Sequence, residues 1–206
     1  YGSPQGRMRA IAGDYIEPEK THIGNEIKVK DICDMLGPPI NNNKKTIGDI
    51  LFNFEINNDD LTDHFYEGKI PSELWKKAER LKRDHGYMGK MDFPDTLNRI
   101  SRTIMATESY CSRESIIFAS EDGDGYRVPT IRELSSLMGF PINYQFKGNH
   151  NNKHKQIGNA VCVQLSYALA SAILKNDNRK LKKTNQRDIN HLACEQKSPL
   201  FENFKE

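Results

Sequence analysis

Hydrophobic and polar positions change their period several times along this chain, and each change predicts an element. After a Gly2-Ser3-Pro4 turn, residues Gln5 to Ile11 alternate with period two, which predicts a strand ended by Ala12-Gly13. Gln5, Arg7 and Arg9 then share one side, with Gly6, Met8 and Ala10 on the other. From 17 to about 65 the chain is irregular and polar, apart from TIGDILFNFE at 46–55. That stretch reads as a short helix, with Thr46 as N-cap and Asp49 three residues on. Between Pro71 and Arg83 the period becomes helical: Leu74, Trp75, Ala78 and Leu81 fall on one face and Ser72 can cap. HGYMG at 85–89 breaks that helix. Residues 98–120 are rich in β-formers and read as extended, with a loop at Ser109–Arg113, and EDGDG at 121–125 is a turn and a segment boundary.

The second half carries sharper signals. Thr130 and Glu133 form a capping box, Leu134, Leu137 and Met138 line one helical face, and Gly139 stops the helix before Phe140-Pro141. After a lysine-rich loop, Gly158-Asn159 is expected to open a second helix, with Asn159 as N-cap, running to about Leu174. Apolar residues cover most of its circumference, so the pattern predicts a helix buried on two sides. From Lys175 onward the chain is polar, and no internal repeat is present.

Composition narrows the class. With 206 residues, 36% hydrophobic and 28% charged, the chain can form one domain or two small ones. No apolar run is read as approaching the roughly 18 residues of a membrane span, and the N-terminus lacks a signal-peptide pattern. Cys33, Cys111, Cys162 and Cys194 stand far apart, which argues against a zinc site or disulfide scaffold and fits a reducing compartment. Net charge is only +2, yet KKAERLKR, KGNHNNKHK and NRKLKK are local basic clusters. Such clusters suit either a phosphate-facing stripe or ordinary solvated surface.

Two guanidiniums and an amide on one strand face suit phosphate oxygens and the edge of a base. They equally suit an edge strand paired with carboxylates. RELSSLMGFP is a capped helix with an apolar face, and QIGNAV brings Gly and Asn to a helix end, where backbone amides can meet an anion.

Taken in order, YGSPQGRMRA, RELSSLMGFP and KQIGNAV resemble the eighth, ninth and tenth motifs of the DNA (cytosine-5)-methyltransferases. The resemblance implies an α/β fold: the C-terminal part of a Rossmann-like methyltransferase domain with an inserted, irregular α+β target-recognition domain. Residues 1–16 would end the catalytic domain, 17–125 would be the recognition domain, 126–175 would return to the catalytic domain, and 176–206 would be a polar tail. The family flips a cytosine from duplex DNA, attacks C6 with a cysteine thiolate, and methylates C5 from S-adenosylmethionine. By resemblance, Arg9 would bond O2 of the flipped cytosine, Arg7 and Gln5 would hold the nucleotide and its flanking phosphates, and Arg7 and Arg9 would be the catalytic pair. Arg102, Thr103, Ser112 and Arg113 would read bases or clamp phosphates, with the loop from His85 to Lys90 as a second candidate. Gly158, Asn159 and Val161 would lie near the cofactor, and Arg132 and Glu133 would organise the junction with the recognition domain. Cys162, where many relatives have proline, reads as buried structure and not as the nucleophile.

The sequence contains no Pro-Cys, no Glu-Asn-Val and no Phe-x-Gly-x-Gly. It is therefore expected to be inactive alone, as a piece of a longer enzyme or as one half of a split one. Double-stranded DNA and the N-terminal catalytic part are the expected partners, with no membrane, in a bacterial cytoplasm and a restriction–modification system. A non-catalytic DNA-binding module is the alternative, and a helical interaction domain a third reading. A front strand turned away from any groove, or a closing helix lying bare and unattached to a sheet, would overturn the whole scheme.

Overall fold

The computed structural model describes residues 1–13, 17–21, 23–40, 43–66, 68–84, 86–107 and 109–176. His85, the basic NRKLKK segment, Cys194 and nearly all of the polar tail lie outside the described residues. Secondary structure is mixed α and β, as expected at that level. Among the described residues both sheets are two-stranded and antiparallel.

The first element is one the pattern reading passed over. Helix α1, Val29–Leu36, buries Val29, Ile32, Met35 and Leu36, which recur at helical spacing inside the stretch read as irregular. Asp31 accepts the Lys28 amide at 2.8 Å, and Gly37, at φ 79°, ends the helix. The helix expected at 46–55 is instead a hairpin of β1, Thr46–Gly48, and β2, Glu55–Asn57. The reason is Asp49. Its carboxylate does not close a capping box but accepts the loop amides of Leu51 and Phe52 at 2.7 and 3.2 Å, and that of Ile142 at 2.8 Å. Asn53, at φ 54°, completes the reversal.

Helix α2, Ser72–Arg83, forms where the periodicity placed it. Ser72, however, is its first helical residue and caps nothing; Pro71 takes the N-cap position. Ala78 is buried in a small apolar cluster with Ile70, Phe93, Ile117 and Val128, against which Leu74, Trp75 and Tyr126 pack. The stretch 98–120 is extended only in part. β3, Phe118–Ala119, pairs with β4, Tyr126–Arg127, across the Glu121–Gly125 turn, and Ser101 makes one isolated bridge. Between them local bonds compete with any ladder, as when Ser112 offers its amide and hydroxyl to Ser115.

Helix α3, Ile131–Leu137, is buried on every side. It packs against α1 and α4 in the larger core, beside Ile47, Ile104, Phe118 and Ile157. Gly139, at φ 84°, stops it as expected, because only glycine adopts that conformation freely.

The end of the chain departs most from expectation. Helix α4, His150–Asn159, begins with Asn149 as N-cap, so Gly158 and Asn159 end a helix and do not open one. Ala160, extended at ψ 156°, breaks the chain, and helix α5, Val163–Asn176, follows. None of residues 163–174 is buried, and no other helix or strand among the described residues packs along α5. The two-sided burial predicted from its apolar circumference is therefore absent among the described residues. The same region corrects the reading of apolar runs. By length and composition His150–Leu174 could cross a membrane, with an 18-residue window of mean hydropathy 1.6. The break at Ala160 divides it.

Candidate functional site

The front segment reaches the end of α4, far away in sequence. Gln5 makes a parallel bridge to Ser101, the Gly6 amide donates to the Ser101 carbonyl at 2.8 Å, and the Thr103 hydroxyl donates to the Gly6 carbonyl at 3.2 Å. No ladder continues beyond Gln5, so the predicted strand is an extended segment held by one bridge. Its three polar side chains share a side but not an environment. Gln5 is buried at 6% exposure, Arg7 is half-buried and Arg9 is exposed.

The two arginines meet carbonyl oxygens, not carboxylates. Arg7 donates through Nη1 to Ile104 O and through Nη2 to Gly158 O, both at 2.7 Å. Arg9 donates through Nη2 to Asn159 O at 3.3 Å and to Ala160 O at 3.1 Å. A helix leaves its last carbonyls without intrahelical partners and carries partial negative charge there, so two cations stabilise the end of α4. Burial, with the neighbouring Arg9 charge adding to it, lowers the Arg7 pKa below its ordinary value.

Gly158 closes this site from the other side. A Cβ there would sit about 2.5 Å from the Met105 carbonyl oxygen and equally close to the Ala106 backbone. The glycine thus lets α4 touch the chain at 105–106, and His154 bonds the Met105 carbonyl at 3.0 Å one turn earlier. Beyond the break, the buried Cys162 thiol donates to Ser3 Oγ at 3.0 Å. Asn159 and Val161 remain exposed. The buried amide of Gln5 has no hydrogen-bond partner among the described residues.

The stretches YGSPQGRMRA and KQIGNAV therefore meet side by side. The stretch RELSSLMGFP joins them through Gln164 of α5, whose Nε2 donates to the Gly139 carbonyl at 3.4 Å. In comparison with known proteins, the family model of the C-5 cytosine-specific DNA methylases matches residues 1–175. The chain belongs to this family. It is 49% identical over 100 residues to DNA (cytosine-5)-methyltransferase 1A of rice, covering 48% of this chain and 6% of that protein. It is 46% identical over 59 residues to the type II methyltransferase M.NgoPII of Neisseria gonorrhoeae, 28% of this chain and 17% of that one. The match to the type II methyltransferase M1.HphI of Haemophilus parahaemolyticus is 25% over 189 residues, 85% of this chain and 45% of that protein. The chain thus spans less than half the length of these relatives.

The other residues singled out from the sequence sit in three places. Arg102 is turned inward: its Nε donates to Asp95 Oδ1 at 2.7 Å and its Nη2 to the Ser115 carbonyl at 2.7 Å. The other Asp95 oxygen takes Lys82, at 2.6 Å and 0% exposure, a buried cation that the α2 periodicity gave no sign of. Ser112 is tied to Ser115. Arg113 is half-buried and donates to the Gly89 carbonyl at 3.1 Å, which joins the two candidate reading loops. Tyr87, in the first of these loops, is 93% exposed.

Arg132 and Glu133 lie inside the fold. Arg132 grips Thr62 through its carbonyl and hydroxyl oxygens, each at 3.0 Å, and burial lowers its pKa to about 10. Glu133 closes the expected capping box with Thr130 and is held bidentately by Arg127 at 2.8 and 2.9 Å. Burial and the adjacent Glu133 carboxylate push the Cys33 thiol pKa up. Arg127 and Cys33 were missed from sequence. One signal was available for Arg127, a cation directly after an acidic turn and six residues before a capping glutamate.

Proposed function

We propose that this chain is the C-terminal, target-recognising part of a DNA (cytosine-5)-methyltransferase, acting on a flipped cytosine in duplex DNA. The observation that carries the reading is the convergence of the front arginines on the Gly158–Ala160 end of α4. In it, Arg9 is the exposed donor, able to leave two long carbonyl bonds for O2 of an extruded base, where it would stabilise charge on the ring. Arg7, expected as a second catalytic donor, is instead held by its short bonds to the Ile104 and Gly158 carbonyls, and Gln5, buried at 6% exposure, anchors the start of the same segment. S-adenosylmethionine, when bound, supplies the methyl group. Asn159 and Val161, exposed at the break, suit the rim of its pocket, whereas the open side of Gly158 is filled by residues 105–106.

In this reading the bare apolar side of α5 is where the remainder of the catalytic α/β domain docks, and the chain alone is inactive. The bare helix is the outcome set against the scheme as read from sequence, and the family match over residues 1–175 is what supports the reading. Tyr87, Lys90 and Arg113 form the DNA-facing surface of the recognition region, whereas Arg102, Thr103 and Ser112 are occupied within the fold. The bacterial restriction–modification setting is the finer part of the proposal, supported by the Neisseria and Haemophilus relatives.

The test is transfer of labelled methyl groups from S-adenosylmethionine to DNA. The chain is assayed alone and mixed with a polypeptide carrying the Pro-Cys and glycine-rich motifs. Activity only in the mixture, lost in Arg9→Ala, is expected. Salt-dependent DNA binding with reconstituted activity indifferent to Arg9→Ala would instead favour a non-catalytic module. Arg113→Ala should weaken DNA binding across sequences and lower the salt slope by about one. No DNA affinity at low salt would sink the reading.

A further inference from the structure

We propose that Arg7 is a positioning residue that couples the target-base strand to the donor side of the molecule, by joining the carbonyls of Ile104 and Gly158. The inference rests on the proposed function and goes beyond it, because it separates the two arginines. The bonds of Arg7 are short, half-buried and reach segments 97 and 151 residues away. Those of Arg9 are longer, exposed, and confined to the helix end. One guanidinium is thus free to exchange its partners for a nucleotide, and the other is not.

The surroundings make the joint stiff. Gly158 leaves no room between α4 and residues 105–106, Thr103 ties that same segment to Gly6, and Cys162 ties the start of α5 to Ser3. A displacement of the front segment by a bound base is therefore passed through Arg7 to the Asn159–Val161 break. The same displacement at the break returns to the front segment. Such linkage is reciprocal and is read as one ratio of affinities.

The experiment uses the reconstituted enzyme and poly(dI–dC), whose two-bond pairs release cytosine more readily than G·C pairs do. The dissociation constant for this duplex is measured with and without saturating S-adenosylhomocysteine, the demethylated product. The wild-type ratio should be about fivefold or more. In Arg7→Met it should fall to within about twofold of unity, with Arg7→Lys between, since lysine restores charge and one bond at the helix end. Arg9→Met should weaken duplex binding and keep the ratio. A general loss of stability would weaken both affinities without removing their coupling, and Arg7→Lys guards against an Arg7→Met protein that does not fold. A wild-type ratio near one, or an unchanged ratio in the Arg7 variants, overturns the coupling alone. A wild type that binds neither probe takes the functional reading down with it.

Discussion

Glu133 offers the clearest quantitative test of what holds this fold around its site. It is fully buried, and four donors converge on it: both terminal nitrogens of Arg127, the Thr130 amide at 2.7 Å and the Cys33 thiol at 3.7 Å. Burial alone would lower the Arg127 pKa, but the facing Glu133 carboxylate outweighs it and holds the guanidinium above its ordinary range. Glu133→Gln keeps the volume and removes the charge. Breaking a buried pair by removing one partner costs about 3–5 kcal/mol. Arg127 retains Glu121 at 3.1 Å, and glutamine can still accept one bond, so we expect about 2–4 kcal/mol. Against a total stability of about 5–15 kcal/mol, that is a large fraction. Urea unfolding of the chain, followed by the fluorescence of its single tryptophan, Trp75, measures the loss directly. The exposed Lys30–Asp34 pair at 3.8 Å is the control, and Lys30→Ala should cost no more than about 0.5 kcal/mol. A double-mutant cycle with Arg127→Met should give a coupling of about 2 kcal/mol. A Glu133→Gln cost equal to that of the control would refute this account of the buried pair.

Two further outcomes follow from the geometry. Gly158→Ala places a methyl group on the backbone of 105–106 and should cost about 1–3 kcal/mol or more, read as a lower urea midpoint. A near-neutral result would mean that α4 can shift away at little cost. His64, fully buried between the Thr130 hydroxyl and the Gly37 carbonyl, has its pKa lowered from 6.5 by burial, against the opposing pull of Glu133. The unfolded chain therefore binds the proton first. Stability from this group is complete above pH 6.5 and is lost as pH falls toward the lowered folded value. Urea midpoints between pH 7.5 and 5.5 should decline below about 6.5, and His64→Gln should flatten that decline.

The family and several local elements were legible because the signals that carry them are local. The Thr130–Glu133 box, the Gly139 stop and the periodic face of α2 each depend on residues within a few positions of one another. The order of the three motif blocks is likewise a property of the string. What misled the reading was side chains whose partners lie far off. Asp49 looked like a capping-box acid and instead ties a hairpin turn to Ile142. Asn159 looked like an N-cap, although its helix starts at Asn149, which has the same chemistry and lies upstream. Lys82 and Arg102 looked like surface cations and share one buried carboxylate.

Tertiary structure alone decided the site. The alternation around Arg7 and Arg9 says that they share a side, and nothing in it says that the facing surface is the carbonyl end of a helix. That depends on Gly158 lying against residues 105–106, a contact between segments distant in sequence. It decided likewise that the apolar α5 stays uncovered by the described residues, since periodicity records which face avoids water and not what is available to cover it.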